Sequence, residues 1–280
     1  MKNTKLLSRI LKKTNDLVAS NDFKEAYSLG NSFSRKRKLS FSNAIYFICS
    51  ALRKSIATEI SDFIEEHTYL DFPSISKQAF SKARQNISPE AFKELCRLFV
   101  DSFYNSTNKL KRWNGFNILA VDGTSLQVPD TVECGKHFGL SKNQNKVQTA
   151  IASASALYDV LNDIIVDASI TKFKTCERKM AKQHIGALNN EKLISNSIIL
   201  FDRGYPSYDM FDYLNDKNLF FLMRVSSSFK MIQSVSSEDC ILEYKLKREL
   251  KKNKSYKNKA LLGYHRNISN KYLQQIYYTF

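Results

Sequence analysis

The chain has 280 residues, 43% of them apolar, and carries 43 Lys and Arg against 27 Asp and Glu, a net charge of +16. That is apolar material for more than one minimal core, and 12% aromatic with 25% charged residues excludes a disordered polyelectrolyte. The longest apolar stretch, near 44–52, is interrupted and too short for a bilayer, so no membrane is expected, and the cationic surplus favours a polyanionic partner. Residues 1–20 spread Lys and Arg through a helical pattern with no compact apolar region or cleavage site. Five scattered cysteines, Cys49, Cys96, Cys134, Cys176 and Cys240, suit reduced thiols. A cytoplasmic protein is expected.

Residues 1–110 repeat apolar side chains at helical spacing, as in Leu6, Ile10 and Leu11, then Ile45, Ile48, Leu52, Ile56 and Ile60. Ile75-Ser76-Lys77-Gln78-Ala79-Phe80 is echoed by Ile87-Ser88-Pro89-Glu90-Ala91-Phe92. Each copy reads as a helix start, with Ser as N-cap, Ile and Phe as a hydrophobic staple, and Pro89 at the first helical position. On the first helix Lys77, Gln78, Ser81, Lys82 and Gln85 make one polar, basic face. Such a face lies on DNA phosphates or is simply the solvated side of a small bundle.

Near Trp113 the pattern changes to β-rich runs bounded by turn residues, giving expected regions of 1–112, 113–230 and 231–280. Strands are expected over Phe116–Val128, Gln148–Val160 and Ile164–Phe173, with a turn at Asn162-Asp163. Then come a helix around Met180–Leu188, a strand at Ile198–Phe201, a helix around Tyr208–Leu214 and a strand at Leu219–Val225. The order β-β-β-α-β-α-β predicts an α/β fold, a mixed sheet with flanking helices. After Ser228 the chain is strongly basic from Lys245 to Lys259, which reads as a solvated charged helix, a disordered tail or a phosphate track. The run Arg35-Lys36-Arg37-Lys38 is open to the same readings.

Two carboxylates stand out. Asp122 follows Ile118-Leu119-Ala120-Val121 and Asp202 follows Ile198-Ile199-Leu200-Phe201, so both are expected at strand ends, where side-by-side strands bring acids together. Converging carboxylates suit a hard divalent ion and phosphoryl transfer. The plainer reading is that Asp122-Gly123 and Asp202-Arg203-Gly204 open turns.

The phrases Ala120-Val121-Asp122-Gly123-Thr124, Ala156-Leu157-Tyr158-Asp159-Val160 and Leu200-Phe201-Asp202-Arg203-Gly204-Tyr205-Pro206-Ser207 resemble the insertion-sequence-four family of DDE transposases. The likeness covers roughly residues 75–230, including the segment that begins at Ser76. It implies a ribonuclease-H-like core after an all-helical DNA-binding region, and metal-dependent hydrolysis and strand transfer at transposon ends. On that reading Asp122 and Asp202 are catalytic ligands of Mg²⁺ or Mn²⁺, and Lys77, Gln78, Lys82, Arg84 and Arg203 contact DNA. The implied partners are double-stranded DNA and a second copy in a homodimer, and the implied place is the bacterial nucleoid.

The family's third acid, a Glu within a Tyr, Arg, Glu, Lys signature, has no match. From Tyr244 the signature meets Lys247 and Lys251, from Tyr256 it meets Lys259 and Gly263, and neither Glu243 nor Glu249 has Arg four residues before it. The expectation is a transposase truncated before its last catalytic helix, with inactive DNA binding or a nuclease of the same fold as alternatives. Among other candidates, Cys134 and His137 lack a second pair for zinc. His67, His184 and His265 have no readable nucleophile partner. Asp159, Asp163 and Asp167 read as turn and rim residues, and Trp113 as a packing residue.

Overall fold

Capping serines punctuate the N-terminal part of the chain in the computed structural model, which describes residues 2–34, 38–50, 54–68, 72–106, 110–142, 148–229 and 233, and the backbone of 239–245 and 259–265. After α1 (Lys2–Ala19), the side chains of Ser20, Ser40, Ser55 and Ser76 accept the N–H of Phe23, Asn43, Thr58 and Ala79. They open α2 (Asn21–Tyr27), α3 (Phe41–Cys49), α4 (Ile56–Glu66) and α5 (Lys77–Arg84). The apolar spacing from Ile45 to Ile60 is therefore two helices rather than one, and Leu52 lies outside the described residues. Helix α6 (Glu90–Ser106) starts behind Pro89, and Ser88 Oγ accepts the Glu90 N–H at 3.4 Å. The staple expected at both starts is present. Phe80 and Ile87 are buried, with Ile75 and Phe92 half-buried against the same core. At its centre the Phe80 and Phe47 rings meet edge to face with centroids 4.7 Å apart, and Phe63 lies 5.3 Å from Phe47.

These helices form one unit, Met1–Ser106, and Thr107–Phe280 forms a second. The second contains β1 (Asn117–Gln127), α7 (Val132–Phe138), β2 (Leu140–Lys142), β3 (Gln148–Asp159) and β4 (Ile164–Lys172). It continues with α8 (Glu177–Ala187), α9 (Glu191–Ile194), β5 (Ser197–Phe201), α10 (Tyr208–Asp216) and β6 (Phe220–Met223). Laterally the strands run β4-β3-β1-β5-β6, and β2 pairs with the start of β3. β3 is antiparallel to β1 and β4, whereas β1, β5 and β6 run parallel. This is the mixed sheet that the strand pattern predicts, in the ribonuclease-H-like order that the family resemblance implies. In β1 and β5 the residues Leu119, Val121, Ile199 and Phe201 are buried while Ile118, Ala120, Ile198 and Leu200 are half-buried, the near-continuous apolar run of strands covered on both faces.

The register of the parallel pair is anchored at one buried residue. Asn117, wholly buried, accepts a hydrogen bond from Arg112 Nε (3.1 Å) through Oδ1, and its Nδ2 donates to the carbonyls of Lys192 (3.0 Å) and Leu193 (3.2 Å). Its backbone N–H donates to the Asn196 carbonyl at 2.7 Å. The start of β1 is thereby tied to the turn that feeds β5, in the register Asn117↔Ser197 through Val121↔Phe201.

Two expectations need correction. Trp113, expected to pack, is 57% exposed, with a backbone bridge to Phe116. An antiparallel pair, β7 (Asp239–Lys245) and β8 (Lys259–His265), flanks the basic C-terminal block, whose expected forms are not tested by it. The bases between them, Lys247 to Lys257, lie outside the described residues, as do Arg35, Lys36 and Arg37. Finally, α7, β2 and α9 have no counterpart in the expected order. Among the described residues no helix is long and apolar enough to cross a membrane.

Candidate active site

Asp122 is not at the end of its strand. β1 continues to Gln127 along β3, with Asp122 opposite Ala156 and Gly123 opposite Ser155, so Asp122-Gly123 opens no turn. What ends beside Asp122 is its other neighbour, β5. The last parallel partners are Val121 and Phe201, and the next residue on each strand is an aspartate. Asp122 and Asp202 therefore occupy matching positions on adjacent strands, where backbones run about 4.8 Å apart. Asp202 does open a turn, closed by the Tyr205 N–H donating to its carbonyl at 3.1 Å.

Both acids are exposed. Asp122 Oδ1 accepts the N–H of Gly123 at 2.8 Å, and Asp202 Oδ1 lies 3.9 Å from Arg224 Nη1. Arg224 follows β6, whose backbone is fixed to β5 by the Arg224 N–H donating to the Phe201 carbonyl (3.0 Å). Sequence reasoning passed over Arg224 and favoured Arg203. Arg203 is exposed in the Asp202 turn, and no carboxylate pairs with it among the described residues.

A third carboxylate borders this edge. Glu177 is the first residue of α8, whose N-cap Cys176 makes no side-chain cap bond. A Cβ built on Gly123 would stand 3.3 Å from Glu177 Oε1, and one built on Gly204 would stand 3.4 Å from Glu177 Oε2. The Glu177 carboxylate is thus seated between the glycine after Asp122 and the glycine of the Asp202 turn. Beside it Tyr205 is 1% exposed and its hydroxyl has no hydrogen-bond partner. Burial first, then the negative charges of Glu177, Asp122, Asp202 and Cys176, push the Tyr205 phenol far above its ordinary value. The Cys176 thiol is lowered, chiefly by the backbone N–H of Lys179, as expected for a thiol at a helix N-terminus. Glu177 was missed because it lies on no strand. The available signal was an acid opening the helix that leads back to a parallel strand.

Oxygen donors of this kind suit Mg²⁺ or Mn²⁺, and an orphaned buried hydroxyl beside them fits a hydrated ion. In their present rotamers the acids do not enclose one. No three His, Cys, Asp or Glu side chains among the described residues are drawn into a metal-holding group, Cys134 and His137 included. Asp122 is turned onto its own backbone and Asp202 leans toward Arg224. Both are exposed, so a change of χ1 is open to each.

Asp159, Asp163 and Asp167 have structural roles. Asp159 Oδ1 accepts the N–H groups of Leu161 and Asn162, both at 3.0 Å, and Asp163 at the turn has φ +60° and accepts from the Tyr158 hydroxyl. Asp167 pairs at 2.6 Å with Nδ1 of the buried His184. In the first unit Lys77, Gln78, Lys82 and Arg84 are all exposed on α5. Gln78 and Lys82 line a groove of about 1060 Å³ with Asn31, Lys38 and Asn86.

The transposase DDE domain family matches residues 113–278, and the chain belongs to that family. It is 24% identical over 145 residues to the putative transposase InsZ of Escherichia coli (strain K12), covering 51% of this chain and 47% of that protein. It is 21% identical over 225 residues to the transposase InsG for insertion sequence element IS4 of the same organism, covering 78% and 50%. The chain spans about half the length of the curated relatives it matches. Among solved structures it is similar to a chain in the cryo-EM structure of a piggyBac transposase synaptic complex with hairpin DNA, with a TM-score of 0.42 and 12% identity over 84% of this chain and 58% of that one.

Proposed function

We propose that the chain acts in DNA transposition, with Asp122 and Asp202 as ligands of a catalytic Mg²⁺ or Mn²⁺ and the ends of a mobile element as substrate. The observation that carries this reading is the β1–β5 register, which sets the two aspartates side by side in a domain of the DDE family. A divalent cation held there polarises a phosphodiester and stabilises the charge that develops in phosphoryl transfer. The protein's own contribution is position. β1 and β5 fix the two carboxylates from the backbone, and Arg224 and Arg203 place positive charge beside them for the phosphate strand. The exposed basic face of α5, with Lys77, Gln78, Lys82 and Arg84, supplies sequence-independent phosphate contacts. A homodimer on paired DNA ends and residence at the bacterial nucleoid belong to this proposal.

The test is incubation of the chain with DNA carrying candidate element ends and Mn²⁺, beside Asp122→Ala and Asp202→Ala. Cleavage or strand transfer lost in both variants is expected; cleavage that persists in both overturns the assignment. A second reading is metal-independent DNA binding without cleavage. The present orientation of the acids favours it, Asp122 turned onto the Gly123 N–H and Asp202 toward Arg224, and binding without cleavage by the unaltered chain is its outcome.

A further inference from the structure

We infer that Trp113 is a nucleic-acid contact, its indole stacking on an unpaired base of a DNA strand whose neighbouring phosphates lie at Lys111 and Arg112. The inference rests on the reading of the chain as one that acts on DNA. Three observations carry it. The first is that Trp113, the single tryptophan of the chain, is 57% exposed, and no hydrogen bond or ring contact holds its indole among the described residues. It forgoes the burial that Phe201 and Phe221 of the same unit obtain. The second is the stiffness of its support. Trp113 and Phe116 exchange backbone hydrogen bonds at 2.9 and 2.8 Å. Asn114 and Gly115 between them have φ of +46° and +87°, the two-residue turn that Asn-Gly favours. Before the turn, the Lys111 N–H donates to Asn162 Oδ1 at 3.0 Å, and Asn162 Nδ2 donates to the Lys111 carbonyl at 3.1 Å. After it, the Phe116 ring meets Phe220 edge to face with centroids 5.4 Å apart. A backbone held on both sides presents the indole with little left to order on binding. The third is charge. Lys111 and Arg112 are exposed beside the indole, and no carboxylate pairs with either among the described residues. Arg112 is held in place by its Nε donating to Asn117 Oδ1, and Asp163 of the neighbouring turn accepts from the Tyr158 hydroxyl instead.

A tryptophan that anchors a protein partner sits at the centre of an apolar patch, whereas Lys111, Arg112 and Asn114 around this one are all exposed and polar. A flat ring flanked by cations matches a single strand, whose bases stack on the ring while its phosphates meet the charges. In a duplex each base face is covered by its neighbour, so the ring reaches a base only where the strand is unpaired. The turn precedes Asp122 by about 20 Å of extended chain, so this contact is separate from the aspartate pair.

Because the chain has one tryptophan, indole fluorescence reports on this turn alone. The full chain is titrated with oligodeoxythymidylate and, separately, with the duplex of that strand and oligodeoxyadenylate, while Trp113 emission is followed. Anisotropy of the labelled DNA gives the affinities of the wild type, Trp113→Ala, Trp113→Phe and Lys111→Gln, and circular dichroism verifies that each variant folds. The expected result is emission quenched by the single strand and not by the duplex. Single-strand affinity is expected to weaken about fivefold or more in Trp113→Ala with duplex affinity unchanged, and to weaken less in Trp113→Phe, which keeps an aromatic face. Lys111→Gln is expected to flatten the salt dependence of single-strand binding. Wild-type single-strand affinity in Trp113→Ala, or emission unmoved by a strand that anisotropy shows to be bound, overturns the stacking contact and leaves DNA binding standing. Equal quenching by the duplex overturns the choice of an unpaired base. Emission that shifts with protein concentration in the absence of DNA assigns the indole to an interface between chains and overturns the contact. No binding of either DNA by the wild type overturns the contact together with the reading of the chain as DNA-binding.

Discussion

Replacing Asn117 tests whether the β1–β5 register depends on one buried amide. In Asn117→Ala the side-chain bonds to Arg112 Nε and to the carbonyls of Lys192 and Leu193 are removed, while the backbone bond to Asn196 is kept. Three bonds at about 1 kcal/mol each put the loss near 3 kcal/mol. The Lys192 carbonyl retains only a long bond from Arg112 Nη2 at 3.4 Å, whereas the Leu193 carbonyl keeps the Ser197 hydroxyl. For a unit of this size that corresponds to a fall of about 6–12 °C in its melting temperature. Asn117→Asp conserves shape but turns an acceptor toward two carbonyls, so it is expected to destabilise at least as much as alanine at neutral pH. Urea unfolding gives the free energy, and hydrogen exchange on the amides of β1 and β5 shows where protection falls. A shift below about 0.5 kcal/mol in Asn117→Ala, or exchange unchanged in both strands, refutes the anchoring argument.

In the helical unit, Phe80→Ala removes a fully buried ring from its edge-to-face packing with Phe47 and is expected to cost about 3–5 kcal/mol, read by calorimetry. Alanine in place of Lys77, Lys82 and Arg84 together is expected to weaken duplex DNA binding and flatten its salt dependence by roughly one unit of log–log slope for each phosphate that is no longer neutralised. Fluorescence anisotropy at several salt concentrations checks this, and an unchanged slope rules out that face. The Tyr213 hydroxyl donates to the Lys182 carbonyl at 2.9 Å, and burial raises its phenol above the ordinary value. The folded state therefore holds this proton more tightly than the unfolded chain. Its contribution is complete below the unfolded-state value near 10 and is lost as pH rises through the higher folded one. Unfolding measured from pH 9 to 11 should show a decline that is shallower in Tyr213→Phe.

β5 and the first half of β1 were legible as runs apolar on both faces, and β3 and β4 by the turn at Asn162-Asp163 between them. The expected Ile198–Phe201 became Ser197–Phe201, and Gln148–Val160 became Gln148–Asp159. The opening of α8 at Glu177 was not legible, because its N-cap is Cys176 and no side-chain cap bond announces it. Short elements were hidden by exposure. Val132 in α7 is 67% exposed and Leu140 in β2 is 51% exposed, so neither shows the apolar periodicity that marks an element with a buried face. In the basic C-terminal stretch the block of lysines masked the strand alternation of Cys240, Leu242 and Tyr244. The aspartate pair could be found from two apolar runs that each end in Asp. Glu177 lies on no strand, and it is the fold that brings its carboxylate beside Gly123 and Gly204.

The parallel register of β1 and β5 also has a consequence for the order of folding. Partners such as Val121 and Phe201 meet only after the intervening antiparallel strands and α8 have been laid down, so this pairing is among the most non-local in the second unit. Closing so long a segment carries an entropic penalty that local hairpin and helix formation does not. The β3–β4 hairpin can form from neighbouring residues, whereas the Asp122–Asp202 pair exists only once the sheet has closed around it. A partly folded chain, or one still being synthesised short of β5, therefore carries the basic face of α5 but no paired acids. The metal site proposed for that pair is therefore formed only once the second unit has folded.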